Sequence, residues 1–152
     1  MDHLADTNVL VRAIEKYHPS GHHARNALKV LRRHGDRVCV TAQNIIEFWS
    51  VCTRPVASNG LGLSLQQAAR HVSRIDALFH FLPDVPQIYE EWKRLVRAQA
   101  VSGLQVYDAR LAAAMKVHGV VSILTFNVND FRRFPGINVL HPETLVDEHK
   151  HP

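Results

Sequence analysis

The chain has 152 residues, 46% of them hydrophobic, with a formal net charge of +4. That length suits one domain, residues 1–152, with enough apolar content for a core of its own, which excludes a disulfide-stapled mini-domain and a charge-rich disordered chain. The positive charge admits a polyanionic partner without requiring one.

The opening MDHLADTNVL lacks the basic stretch and long apolar run of a secretory signal, and no later apolar run is long enough to span a bilayer. A cytoplasmic protein with no membrane partner is expected. In chain order, Met1 to Ala5 reads as a strand, and Asp6-Thr7-Asn8 supplies capping side chains for a helix carrying Val9, Leu10, Ala13, Ile14 and Tyr17. His18 to Gly21 interrupts the pattern, after which Ala24, Ala27, Leu28 and Leu31 mark a second amphipathic helix ending near Gly35. Val38 to Thr41 is the next strand, followed by a helix over 43–52 that is apolar almost all round and so expected to be buried on more than one side.

The stretch 54–62, rich in Pro, Ser, Asn and Gly, reads as a surface loop. Ser64 to Gln67 has the form of a capping box and opens a helix with Ala68, Val72, Ile75 and Phe79, before a brief strand over 81–83. Pro86 suits the first turn of a further helix bearing Ile88, Trp92, Leu95 and Val96, and Val106 to His118 forms another, closed by Gly119. Val120 to Thr125 has the composition of a buried parallel strand; a helical turn over 130–134, a last strand over 137–140 and a short C-terminal tail complete the chain. Strands alternating with helices predict an α/β sandwich around a mainly parallel sheet, in which ligands bind at the carboxyl ends of strands.

Four acids stand near such ends, and each has a structural alternative. Asp6 follows the first strand but is also placed to cap the next helix. Glu47 lies between Ile46 and Phe48, where a carboxylate is partly buried and needs either a cation or a salt bridge, with Arg54 as the candidate partner. Asp108 precedes the small-residue run Ala109 to Ala114 and suits a helix dipole, while Asp130 suits a cap for the turn that runs to Phe134. Carboxylates converging at one sheet edge repel one another unless a hard divalent ion such as Mg²⁺ or Mn²⁺ neutralises them, and in a basic protein that combination points to phosphodiester chemistry.

The segments Leu4-Ala5-Asp6-Thr7-Asn8-Val9-Leu10, Asn44-Ile45-Ile46-Glu47-Phe48, Tyr107-Asp108-Ala109-Arg110-Leu111-Ala112 and Leu124 to Phe131 resemble the four motifs of PIN domains, in order and at suitable spacing, over about 4–142. The likeness is to the VapC-type toxin ribonucleases of type II toxin–antitoxin systems. It implies a PIN-like three-layer sandwich, a metal-dependent endoribonuclease leaving 5′-phosphate and 3′-hydroxyl ends, a cognate antitoxin and a homodimer. It further implies that Asp6, Glu47 and Asp108 hold Mg²⁺ or Mn²⁺, with Asp130 as a fourth acid and with Thr125 and Asn8 orienting carboxylates or water. The sequence departs at Asn127, where many family members carry an acid. That substitution puts a second metal site in question, and it is the motive for an alternative reading as a non-catalytic binding module. A housekeeping nuclease of RNA maturation is the other alternative.

Arg12, Arg54, Arg110, Arg132 and Arg133 lie in or near the motifs, as phosphate contacts or as ordinary surface pairs. Cys39 and Cys52 have no ligand-like spacing and read as buried free thiols. The histidines, including His22-His23 and 149–151, match no zinc pattern and read as surface groups; Trp49 and Trp92 read as core.

Overall fold

The computed structural model describes residues 1–148, so the histidines at 149 and 151 lie outside the described residues. The strands are β1 (Asp2–Ala5), β2 (Arg37–Thr41), β3 (His80–Leu82), β4 (Ser122–Leu124) and β5 (Asn138–Leu140). They form one sheet in the order β3-β2-β1-β4-β5, and every pairing is parallel. The helices are α1 (Thr7–Ile14), α2 (Gly21–Arg33), α3 (Ala42–Thr53), α4 (Leu65–Leu78), α5 (Pro86–Ala98), α6 (Gln105–Val117), α7 (Val128–Arg132) and α8 (Pro142–Glu148). Among the described residues no helix is long and apolar enough to cross a membrane.

The period-2 alternation of strand side chains builds two cores. Ala5, Val38, Val40 and Leu124 face one cluster with Val9, Leu10, Ala27, Leu28, Phe48 and Ile75, so α1 to α4 cover that side together with Leu145 of α8. Leu4, Cys39 and Ile123, their strand neighbours, face the other cluster with Ile88, Leu95, Leu111, Met115 and Phe131, from α5, α6 and α7. The result is a three-layer sandwich, as the sequence predicts.

Local signals act as expected at most boundaries. Asp6 caps α1, Ser64 and Gln67 form a reciprocal capping box on α4, and Pro86 takes the first turn of α5. Gly119, at φ +71°, ends α6 in a Schellman turn in which Val120 N–H donates to Met115 O at 2.8 Å. Cys39 and Cys52 are buried and free, and burial pushes both thiols up to about 11.

Helix α3 is buried on more than one side, as expected: only Ile46, 69% exposed, and Ser50 face outward, because α3 packs on the sheet through Asn44, Phe48 and Cys52. Three local expectations are corrected. Tyr17 lies beyond α1 and is exposed, since Glu15 already closes that helix in an extended conformation. Helix α7 begins at Val128 rather than at Asp130 and ends at Arg132. The segment after Pro142, expected to be a tail, is helical and packs against α2, with Leu145 in the core.

Candidate active site

Strand order places a topological switch between β1 and β4. From β1 the chain builds outward through β2 and β3, then returns to the other side of β1 with β4 and β5. The loops after β1 and β4 lead to α1 and α7, which lie on opposite faces, so a crevice opens at their carboxyl ends. Asp6 and Thr125, the residues that follow β1 and β4, meet there: Thr125 Oγ1 donates to Asp6 Oδ2 at 2.7 Å. The other carboxylate oxygen, Oδ1, accepts from Thr7 N–H at 2.8 Å. Asp6 is therefore both the helix cap and the crevice carboxylate, and its two sequence readings coexist. It is 7% exposed, and burial pushes its pKa up to about 6 against the pull of the Thr125 and Thr7 hydrogen bonds, with Glu47 and Asp130 adding to the rise.

Thr125 is fully buried, and its hydroxyl is a hub. It also accepts from Asn8 Nδ2 at 3.3 Å and from Asn127 N–H at 3.0 Å, while Asn8 Oδ1 accepts from Phe126 N–H at 3.3 Å. Asn8 thus stitches the start of α1 to the turn after β4.

Glu47 reaches the same cleft from α3. Its Oε2 accepts from Thr7 Oγ1 at 2.7 Å and its Oε1 from Gln43 Nε2 at 2.8 Å, so neutral donors hold it rather than the Arg54 salt bridge that was the structural alternative. Two further residues hold this arrangement. Asn44, fully buried, accepts from both Thr41 N–H and Thr41 Oγ1 at 2.9 Å and donates to Thr7 Oγ1 at 3.3 Å. Gln43 Nε2 also donates to Tyr107 O at 2.9 Å, which ties α3 to the turn of α6 that carries Asp108. Sequence reasoning missed Thr7, Gln43 and Asn44. A signal was present, since Gln43 stands four residues before Glu47 on one helix face and Thr41-to-Asn44 has the spacing of a reciprocal cap.

Asp108, in the first turn of α6, is half-buried and has no hydrogen bond or ion pair among the described residues. Burial pushes its pKa up to about 7, and the charges of Asp6, Asp130 and Glu47 push in the same direction. Asp130 stands beside the cleft rather than in it. It lines an adjoining concavity with Phe126, Asn127 and His141, and Asn127 forms the wall common to both.

The cleft has a volume of about 530 Å³ and is lined by Asp6, Thr7, Asn8, Glu47, Asp108 and Asn127, with Arg12, Glu15 and Arg54 at its edge. Of the other arginines, Arg110 donates to Asp84 at 3.1 Å and to Gln43 Oε1 at 3.2 Å, Arg132 to Asn129 at 3.3 Å, and Arg133 to Gln99 O at 2.6 Å. These three behave as structural pairs. Trp49 and Trp92 pack against the two cores, and Trp92 Nε1 donates to Val106 O.

The donor set suits a hard divalent ion in an open, hydrated site. Among the described residues no three acidic, His or Cys side chains are gathered so as to hold a metal ion together. Mg²⁺, however, is commonly held by one or two carboxylates and several waters. The half-buried Asp108 carboxylate, unbonded among the described residues and raised by burial first and then by three like charges, is a group that such an ion would relieve.

Comparisons with known proteins agree with this geometry. No curated protein matches the chain by sequence. Among solved structures, the chain resembles one from the VapBC2 complex of Rickettsia felis bound to a promoter DNA fragment, with a TM-score of 0.68 and 15% identity over 93% of this chain and 98% of that one. The DNA-bound VapBC of Salmonella typhimurium matches with a TM-score of 0.68 and 18% identity, again over 93% and 98%. VapC20 of Mycobacterium tuberculosis, a sarcin-ricin loop cleaving toxin, matches with a TM-score of 0.58 and 16% identity over 81% of this chain and 87% of that one. At these identities the likeness establishes the fold. The sequence itself matches the PIN domain over residues 4–137, and the chain belongs to that family.

Proposed function

We propose that the protein is a divalent-metal-dependent endoribonuclease acting in the cytoplasm as the toxin of a type II toxin–antitoxin pair. The observation that carries the reading is the convergence of Asp6, Glu47 and Asp108, from β1, α3 and α6, on one cleft where neutral donors hold the first two and nothing neutralises the third. In this reading Asp6, Glu47 and Asp108 hold Mg²⁺ or Mn²⁺, and Asp130 contributes charge from the adjoining wall. The ion would supply Lewis acidity toward the phosphate and a nucleophile from water at neutral pH.

The chain's own residues then have distinct tasks. Thr125 and Thr7 fix the two oxygens of Asp6, Gln43 and Thr7 fix those of Glu47, and Asn8 holds Thr125 in place. Such fixing leaves little reorganisation for the moment of reaction. Asp108, free of partners, is the carboxylate able to adjust its position to an incoming ion or water.

The toxin role is supported by family membership and by fold likeness to chains of toxin–antitoxin complexes. A homodimer and an inhibiting antitoxin belong to the same reading, supported by family membership and by the toxin–antitoxin complexes among the structural neighbours. A non-catalytic module is the second reading, favoured by the amide of Asn127 on the cleft wall. Sequencing of RNA 5′-monophosphate ends after brief induction, against Asp108→Asn in the same host, decides between them. New ends at defined sites with the intact protein alone are expected. Identical profiles from two soluble, antitoxin-free proteins would leave the binding module as the better reading.

A further inference from the structure

Four acids, Asp6, Glu15, Glu47 and Asp108, and two arginines, Arg12 and Arg54, line the cleft. A polyanion entering it meets repulsion from every acid that a metal does not neutralise. Arg12 is already occupied, since its guanidinium is ion-paired with Glu15 on the same wall. Arg54 is exposed, faces the cleft and has no side-chain hydrogen bond or ion pair among the described residues.

The backbone beneath Arg54 is fixed. It is the C-cap of α3, and its N–H donates to Ser50 O at 3.0 Å. The following segment folds back on the helix end as a hook: Gly60 N–H donates to Pro55 O, Leu61 N–H to Val51 O, Gly62 N–H to Arg54 O and Leu63 N–H to Cys52 O, all at 2.8 to 3.0 Å. Asn59 takes a left-handed conformation at φ 60° to close the turn. Gly60 is required by space, because a Cβ there would lie 2.1 Å from Arg54 O and 2.3 Å from Arg54 Cβ. A long side chain held at its root loses less freedom on binding than one carried by a loose loop.

We propose that Arg54, rooted by the hook 54–63, binds a backbone phosphate of the RNA strand in the cleft. The inference rests on the reading of the cleft as an RNA-cleaving site. Arginine suits the task, because its planar donor fork engages a phosphate through two oxygens.

The test uses a short fluorescein-labelled single-stranded oligoribonucleotide of mixed sequence, bound in an Asp108→Asn background so that the probe survives. Arg54→Ala is expected to weaken binding about tenfold, the worth of one charge-assisted contact. It should also lower the slope of log affinity against log salt by about 0.7, one single-strand phosphate. Arg54→Lys should restore the slope but only part of the affinity, and Gly60→Ala should weaken binding although the charge is retained. With Asp108 restored, Arg54→Ala should raise KM far more than it lowers kcat. Affinity and slope unchanged in Arg54→Ala, or a loss confined to kcat, would overturn the proposal. Were the parent protein to bind but not cleave while Arg54→Ala bound less, the cleavage reading would fall and the phosphate contact would stand. Were the parent to cleave while Arg54→Ala bound equally well, the phosphate contact would fall and the cleavage reading would stand.

Discussion

Neutralising Asp108 is expected to stabilise the metal-free fold while abolishing cleavage. The carboxyl is raised from 3.8 to about 7, by burial first and then by Asp6, Asp130 and Glu47. A folded pKa above the unfolded one means that the native state holds its proton longer. The associated stability is fully present below the unfolded pKa and is lost as pH rises through about 7. For a fully buried group the difference between 3.8 and about 7 corresponds to about 4 kcal/mol. Asp108 is only half-buried, and solvent screening reduces the usable part to about 1–2 kcal/mol. Asp108→Asn keeps the shape and breaks no hydrogen bond among the described residues. Urea unfolding in chelator at pH 8 should therefore show the variant more stable by about 1–2 kcal/mol, which in a chain of this size is roughly 2–8 °C in Tm. At pH 5, where the native Asp108 is protonated, the gap should shrink by more than half. A variant less stable than the parent at pH 8, or a gap independent of pH, would refute the claim that an unfavourable, partly buried charge is stored at Asp108.

Saturating Mn²⁺ at pH 8 should raise the parent's Tm, by the linkage of binding to folding, and should raise that of an Asp6→Asn, Asp108→Asn double variant far less; equal shifts would dissociate those carboxylates from the ion. Thr125→Val removes the hydroxyl that serves Asp6 and should cost about 1–3 kcal/mol at pH 8, with less loss at pH 5, where Asp6 with its pKa of about 6 is mostly protonated. Chemical denaturation at the two pH values reads the difference, and a loss equal at both would point to packing alone. Gln43→Ala should lower Mn²⁺ affinity without removing any charge from the cleft, measurable by calorimetric titration, because Gln43 links Glu47 to the backbone at Tyr107. Unaltered affinity would assign Gln43 to structure only.

The fold was legible in the sequence where one signal dominated. Asp6, Ser64 with Gln67, and Pro86 are local caps whose effect does not depend on distant contacts, and the apolar runs of β2 and β4 can be satisfied only inside a sheet covered on both faces. Where tertiary packing decides, local pattern misleads. Ile46 is apolar yet exposed because the orientation of α3 is set by Asn44, Phe48 and Cys52. Helix α8 is short, and its docking on α2 leaves little periodic trace. In the cleft Asp6 could be read from its position after a strand, and the Gln43-to-Glu47 and Thr41-to-Asn44 spacings carry a local trace, whereas the reach of Asn44 to Thr7, Thr7 to Glu47 and Gln43 to Tyr107 spans 37, 40 and 64 residues, which no local pattern encodes.

The identity of those holding groups bears on function. An arginine beside Glu47 or Asp6 would stabilise the carboxylate and also compete with a divalent ion for it. Thr7, Thr125 and Gln43 fix the same oxygens without cancelling their charge, and Asn8 and Asn44 hold the two threonine hydroxyls in turn, so the negative charge persists until a cation enters. The cost of leaving these acids buried without a cation is visible at Asp6 and Asp108, both raised well above the ordinary carboxylate range by burial first and by neighbouring carboxylates second. A fold selected only for stability would have paired or removed these acids. Acids without a cationic partner among the described residues, converging on the switch point of a parallel sheet, are the physical support for the proposed metal-assisted reading of the cleft.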